Sequence, residues 1–78
     1  MPEFTPVTTV ADMAAQDSED VLAGYRAGPQ GYPEPVASIF SRAYWHGWRN
    51  GRVDGGYAEP DAAQAALAHE YAETQRAN

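Results

Sequence analysis

Apolar positions fall in short stretches at helical spacing, separated by Pro- and Gly-rich breaks. Val10, Met13 and Ala14 share one face behind Thr9, with Asp12 in the first turn, which predicts a short helix ending near Gln16. Asp17 or Ser18 can cap a second helix over 18–28, and Glu19 and Asp20 suit its positive end. Val21, Leu22 and Tyr25 form its apolar face, and Gly28-Pro29 stops it. The stretch PQGYPEP over 29–35 reads as a loop, with Tyr32 packed back on the helices. A third helix is expected over 38–53, capped by Ser38 or Ser41. With Ser41 as cap, Phe40 and Trp45 form a hydrophobic staple. Tyr44, Trp45 and Trp48 make an apolar stripe, and Arg42, His46 and Arg49 make the stripe beside it. A last helix over 60–75 begins with Pro60 in its first turn and presents Ala63, Ala66, Leu67 and Tyr71. Pro2 and Pro6 make residues 1–9 a flexible tail. The expected fold is all-α: a single small domain over 10–76, with an antiparallel helix pair (a helical hairpin) and a C-terminal helix packed on it.

Two segments echo each other. Gly24-Tyr25-Arg26-Ala27-Gly28 and Gly47-Trp48-Arg49-Asn50-Gly51 share a Gly-aromatic-Arg-x-Gly pattern. Glycine costs a helix roughly 0.8–1 kcal/mol relative to alanine. Four of them at helical positions imply close backbone approach between the two helices.

Composition sharpens the picture. Of the 78 residues, 15 are Ala, and Leu, Ile, Val and Phe together number ten. That is below the roughly 20% which, with high net charge, accompanies disorder. Two Trp, five Tyr and two Phe offset the deficit, because each aromatic buries roughly 150–250 Å². The core is therefore expected to be aromatic, built on Tyr25, Tyr44, Trp45 and Trp48. With no cysteine, neither a disulfide framework nor a thiolate zinc site is possible, which suits a reducing cytoplasm. The N-terminus lacks the basic and apolar regions of a signal peptide, and no apolar run of about 18 residues offers a membrane span. His46 and His69 sit on different helices with no third ligand set by spacing, so no metal or other cofactor is expected. No nucleophile, oxyanion nest or phosphate loop accompanies His46, so neither catalysis nor a small-molecule substrate is expected.

The net charge of −6 is unevenly placed. Residues 1–24 carry five acids and no base, and residues 54–78 carry five acids and Arg76. Between them Arg26, Arg42, Arg49 and Arg52 face only Glu34. Every cation outside the histidines is thus an arginine, able to fork onto a carboxylate or phosphate. Arg26, Arg42, Trp45, His46, Arg49 and Arg52 are the candidate binding residues. Glu19, Asp20, Glu70 and Glu73 can neutralise those arginines or form an acidic face of their own.

Residues 21–52 also carry a resemblance. Val21-Leu22-Ala23-Gly24-Tyr25-Arg26-Ala27-Gly28, a Pro-rich loop, and Ser41-Arg42-Ala43-Tyr44-Trp45-His46-Gly47-Trp48-Arg49 resemble the ribosome modulation factor family. The resemblance implies a helix pair joined by a loop. It also implies a protein that binds small-subunit ribosomal RNA and silences ribosomes by promoting their dimerisation in slow growth. The chain is longer than that family's members and is acidic where they are basic, and Gly31-Tyr32-Pro33 stands where the family loop commonly has Cys-Pro-Tyr. More distant relatives with the same signature, which this acidic chain resembles, are typical of phage and prophage genomes. The leading expectation is a non-catalytic regulatory protein that docks on the ribosome, its RNA or a ribosomal protein through the Arg/aromatic face. The alternative is an acidic phage-encoded protein that occupies the basic surface of a host nucleic-acid-binding machine. A homodimer paired through exposed aromatics is a third expectation.

Overall fold

The computed structural model describes residues 4–76, and among these the regular structure is entirely helical. The elements are α1 (Val10–Ala14), α2 (Ser18–Ala27), a 3₁₀ turn (Gly28–Gln30), α3 (Arg42–Asp54) and α4 (Ala62–Arg76). Residues 1–3, at the start of the expected tail, lie outside the described residues.

Side-chain caps set the helix starts. Thr9 Oγ1 accepts from Asp12 N at 3.1 Å, and Asp17 Oδ1 accepts from Glu19 N at 2.9 Å and Asp20 N at 3.2 Å. Ser41 Oγ accepts from Tyr44 N at 3.1 Å, so α3 starts at Arg42, not near Ser38. Before it, Ile39 N and Phe40 N both donate to Val36 O in a tight turn. Asp61 and Gln64 exchange bonds, Asp61 Oδ1 accepting from Gln64 N and Gln64 Oε1 from Asp61 N. This capping box places Pro60 outside α4 rather than in its first turn.

The echoing glycines do bring two helices into backbone contact. A Cβ on Gly24 would meet Tyr44 O and lie 2.8 Å from Trp48 N; one on Gly28 would lie 2.6 Å from Trp48 O. Reciprocally, a Cβ on Gly47 would meet Val21 O and one on Gly51 would meet Tyr25 O. At each glycine the nearest atom is a carbonyl oxygen of the other helix. An α-hydrogen points there instead, the arrangement of Cα–H···O contacts worth about 0.5–1 kcal/mol each.

These contacts correct the expected direction. Val21 meets Gly47, Gly24 meets Tyr44 and Trp48, and Gly28 meets Trp48 and Arg52. The numbers rise together, so α2 and α3 run parallel and do not form an antiparallel hairpin. Side chains agree at both ends: Ser41 Oγ donates to Asp20 Oδ2 at 2.9 Å, and Tyr25 Oη donates to Asp54 Oδ2 at 2.5 Å. The connector over 28–41 makes this possible. Ten helical residues advance about 15 Å, whereas fourteen extended residues reach over about 40 Å, enough to carry the chain back to the start of α2.

The aromatic core is narrower than composition suggests. Trp45 is 4% exposed, joined in the core by Val7, Ala27, Ala43 and Leu67. Tyr44 and Trp48 are half-buried and Tyr25 is exposed. Glycine lines the helix contact, so the rings pack beside it rather than within it. Phe40 stacks on Tyr44 with centroids 4.5 Å apart, so the staple closes on Tyr44 instead of Trp45. Trp45 instead carries the ring of Phe4, stacked at 5.1 Å. Residues 4–9 have no regular structure, yet Val7 is buried and Phe4 holds the segment against α3. Helix α4 neighbours α1 in backbone terms, with Val10 N donating to Glu70 Oε1 at 2.9 Å. Its ties to α3 are made by side chains: Gln64 to Asn50 and Asp61 to Arg49.

Gly47→Ala therefore forces a methyl group into the Val21 carbonyl. Overpacking of this kind costs roughly 2 kcal/mol, about 10 °C in Tm for a domain of this size. The exposed Ala23→Gly costs only about 1 kcal/mol. Thermal denaturation followed by circular dichroism checks the order; a Gly47→Ala variant as stable as the parent would show that the helices do not touch there.

Candidate interaction surface

The fold divides five of the six candidate binding residues among three places, and His46 stands apart. Arg42, in the first turn of α3, is spent on the N-terminal segment. Its Nε donates to Thr5 O at 2.7 Å and its Nη2 to Pro6 O at 3.3 Å. Nη1 and Nη2 fork onto Asp12 Oδ1 and Oδ2 at 2.9 and 2.5 Å. That fork holds the Asp12 carboxyl below its usual pKa and raises that of Arg42.

Arg49 and Trp45 form the second group. The guanidinium lies 4.5 Å from the Trp45 ring centroid and pairs with Asp61 at the start of α4. Burial lowers the Arg49 pKa, and the nearby Glu34 charge opposes this. Glu34 Oε2 also accepts from Trp45 Nε1 at 3.0 Å. Trp45 is thus covered on one face by Phe4, approached by Arg49, and satisfied at its nitrogen.

The third group stands at the C-terminal end of the parallel pair. Arg26 and Arg52 both occupy the last turns of their helices, where cations suit the negative dipole ends. Arg26 is exposed. Arg52 Nη1 donates to Gly28 O at 3.2 Å, and its guanidinium lies 5.3 Å from the Trp48 ring and 5.6 Å from the Tyr57 ring. Trp48 Nε1 donates to Tyr32 O at 3.2 Å. Tyr57 and Tyr32 are 60% and 57% exposed, so Tyr32 does not pack back on the helices as expected. Tyr57 is not among the residues that the sequence pattern singles out. The signal lies in Gly55-Gly56: Gly56 has φ 81°, and the turn brings Tyr57 N to Arg52 O at 2.8 Å.

His46 belongs to none of these groups. It is 5% exposed, and its Nε2 pairs with Asn50 Nδ2 at 3.2 Å. The four acids of the alternative face are dispersed. Asp20 is bound by Ser41 and Glu70 by Val10 N, while Glu73 approaches Arg76 at 3.6 Å and His69 at 3.8 Å. Glu19 is exposed in the first turn of α2. Among the described residues no group of three His, Asp or Glu side chains is placed to hold a metal ion, and no helix is long and apolar enough to cross a membrane.

In comparisons with known proteins, the chain matches no family model, no curated protein and no solved structure.

Burial lowers the pKa of His46 below the usual 6.5, the charges of Arg49 and Arg42 act in the same direction, and Asp12 opposes them. The unfolded chain therefore binds a proton that the folded one refuses. Stability from this group is complete above about pH 6.5 and declines as pH falls below it. Tm should hold between about pH 8 and 7 and drop between about 6.5 and 5, and His46→Gln should flatten that drop. An unchanged slope in His46→Gln would assign it to other groups.

Proposed function

We propose that this is a non-catalytic docking protein similar in construction to ribosome modulation factor, which engages the ribosome through the C-terminal end of the α2–α3 pair. The observation that supports this reading is the Arg52 group: a guanidinium between the Trp48 and Tyr57 rings, with Tyr32 exposed nearby and Arg26 on the adjoining helix end. Cations interleaved with exposed aromatics suit phosphate contact and base stacking. Arg42 and Arg49 take no part, since Asp12 and Asp61 already neutralise them. The protein should co-sediment with ribosomes at low salt. With two arginines on phosphates, raising salt from about 50 to 200 mM should weaken binding roughly tenfold. Arg26→Glu with Arg52→Glu should abolish it, and Arg52→Lys with an unchanged melting curve should weaken it. Absence of co-sedimentation at low salt would end this reading.

The same neutralisation favours a second reading. With Arg42 and Arg49 paired internally and a net charge of −6, most of the remaining charge is acidic. An acidic protein of this size can occupy the basic surface of a nucleic-acid-binding machine. Recovery of one discrete basic protein instead of ribosomes in the same binding assay, lost on Glu19→Lys with Glu73→Lys, would favour it.

A further inference from the structure

Two apolar hollows open side by side between the helices. One, of about 420 Å³, lies among Met13, Val21, Leu22, Tyr25, His46 and Asn50. The other, of about 380 Å³, lies among Met13, Asn50, Gln64, Leu67 and Tyr71. Met13 and Asn50 line both, so the two form one groove with α2 on one side and α4 on the other. Part of its lining is a hydrogen-bonded chain. Asn50 Nδ2 pairs with His46 Nε2, and Asn50 Oδ1 accepts from Gln64 Nε2, both at 3.2 Å. Its edges are apolar and open to water: Leu22 and Tyr71 are each 47% exposed.

Charge distinguishes among occupants. No Arg lines either hollow. Asp17 stands four residues before Val21 and eight before Tyr25, continuing the lining face of α2 beyond its start. Asp54 stands four residues after Asn50 and eight after His46, continuing the lining face of α3 to its end. Because α2 and α3 run parallel, these two carboxylates, one capping the start of α2 and one ending α3, stand at opposite ends of the helix pair that lines the first hollow. An anionic membrane surface or a second copy of this −6 chain would meet like charge there.

We propose that the groove receives an amphipathic helix from a partner protein, with apolar side chains at i, i+3, i+4 and i+7 and a Lys or Arg toward each end. Helices bind apolar grooves in this way through one face. A limb the length of α2 spans about 15 Å, so the two partner cations lie about ten helical residues apart. This site is separate from the Arg52 group and depends on neither reading of the function.

The test uses the full ¹⁵N-labelled chain titrated with a synthetic helical peptide of about 14 residues, leucine on one face and lysine near both ends. A second peptide carries glutamate in place of lysine. Saturable shifts should concentrate at Met13, Leu22, Tyr25, Asn50, Leu67 and Tyr71 for the lysine peptide, with none for the glutamate peptide. Leu22→Ser should weaken binding about tenfold, the loss that follows from one exposed leucine ceasing to be buried. Asp17→Asn with Asp54→Asn keeps the cap and the Tyr25 hydrogen bond while removing both charges, and should also weaken it. Shifts spread over Glu19, Asp20 and Glu73, or unchanged affinity in Leu22→Ser, would overturn the proposal. The same groove resonances moving with protein concentration alone would overturn it too, by assigning the groove to a second copy.

Discussion

Helices α2 and α3 touch backbone to backbone at Gly24, Gly28, Gly47 and Gly51, and the rest of the fold is arranged around that contact. Gly24, Gly47 and Gly51 weaken the helices they lie in, Gly28 follows the end of α2, and each of the four removes the atom that would hold the helices apart. Parallel helices place like dipole ends together, which is unfavourable. The side chains offset this: Glu19 and Asp20 lie at the N-terminal end, and Arg26 and Arg52 at the other. Asp20–Ser41, Tyr25–Asp54 and Arg52–Gly28 then tie the two helices together at both ends.

Close helices leave no room for large rings between them, which explains where the aromatics go. Trp45 turns aside and is covered by Phe4 and the segment that Arg42 secures. Trp48 and Tyr57 frame Arg52 at the far end. A chain poor in Leu, Ile, Val and Phe thus forms a small core around one tryptophan and leaves several tyrosines on the surface. The division also separates the arginines. Of the four central arginines, Arg42 and Arg49 are part of the folded body, and Arg26 and Arg52 stand at the C-terminal end of the helix pair.

Local signals were legible in the sequence, and long-range ones were not. The helices, the Thr9, Asp17 and Ser41 caps, and the meaning of the four glycines all rest on residues within a few positions of one another. Direction does not: a Gly-x-x-x-Gly face packs equally well either way, and only the long connector over 28–41 pointed to a parallel return. The partners of Arg42 and Arg49 escaped for the same reason. Asp12 lies 30 residues from Arg42, Asp61 lies on a helix beyond the Gly55-Gly56 turn, and no spacing rule joins them. A Pro-rich loop next to apolar helix faces suggests burial of Tyr32, whereas its carbonyl makes the contact with Trp48 and the residue stays exposed.

The direction of α2 against α3 is measured most directly by nuclear Overhauser contacts between the glycine α-hydrogens and the facing helix. Cross-peaks from Gly24 to Tyr44 and Trp48, and from Gly28 to Trp48 and Arg52, are expected for the parallel backbone contact. Cross-peaks from Gly28 to Tyr44 together with Gly24 to Arg52, or no α-hydrogen contacts between the helices at all, would contradict it.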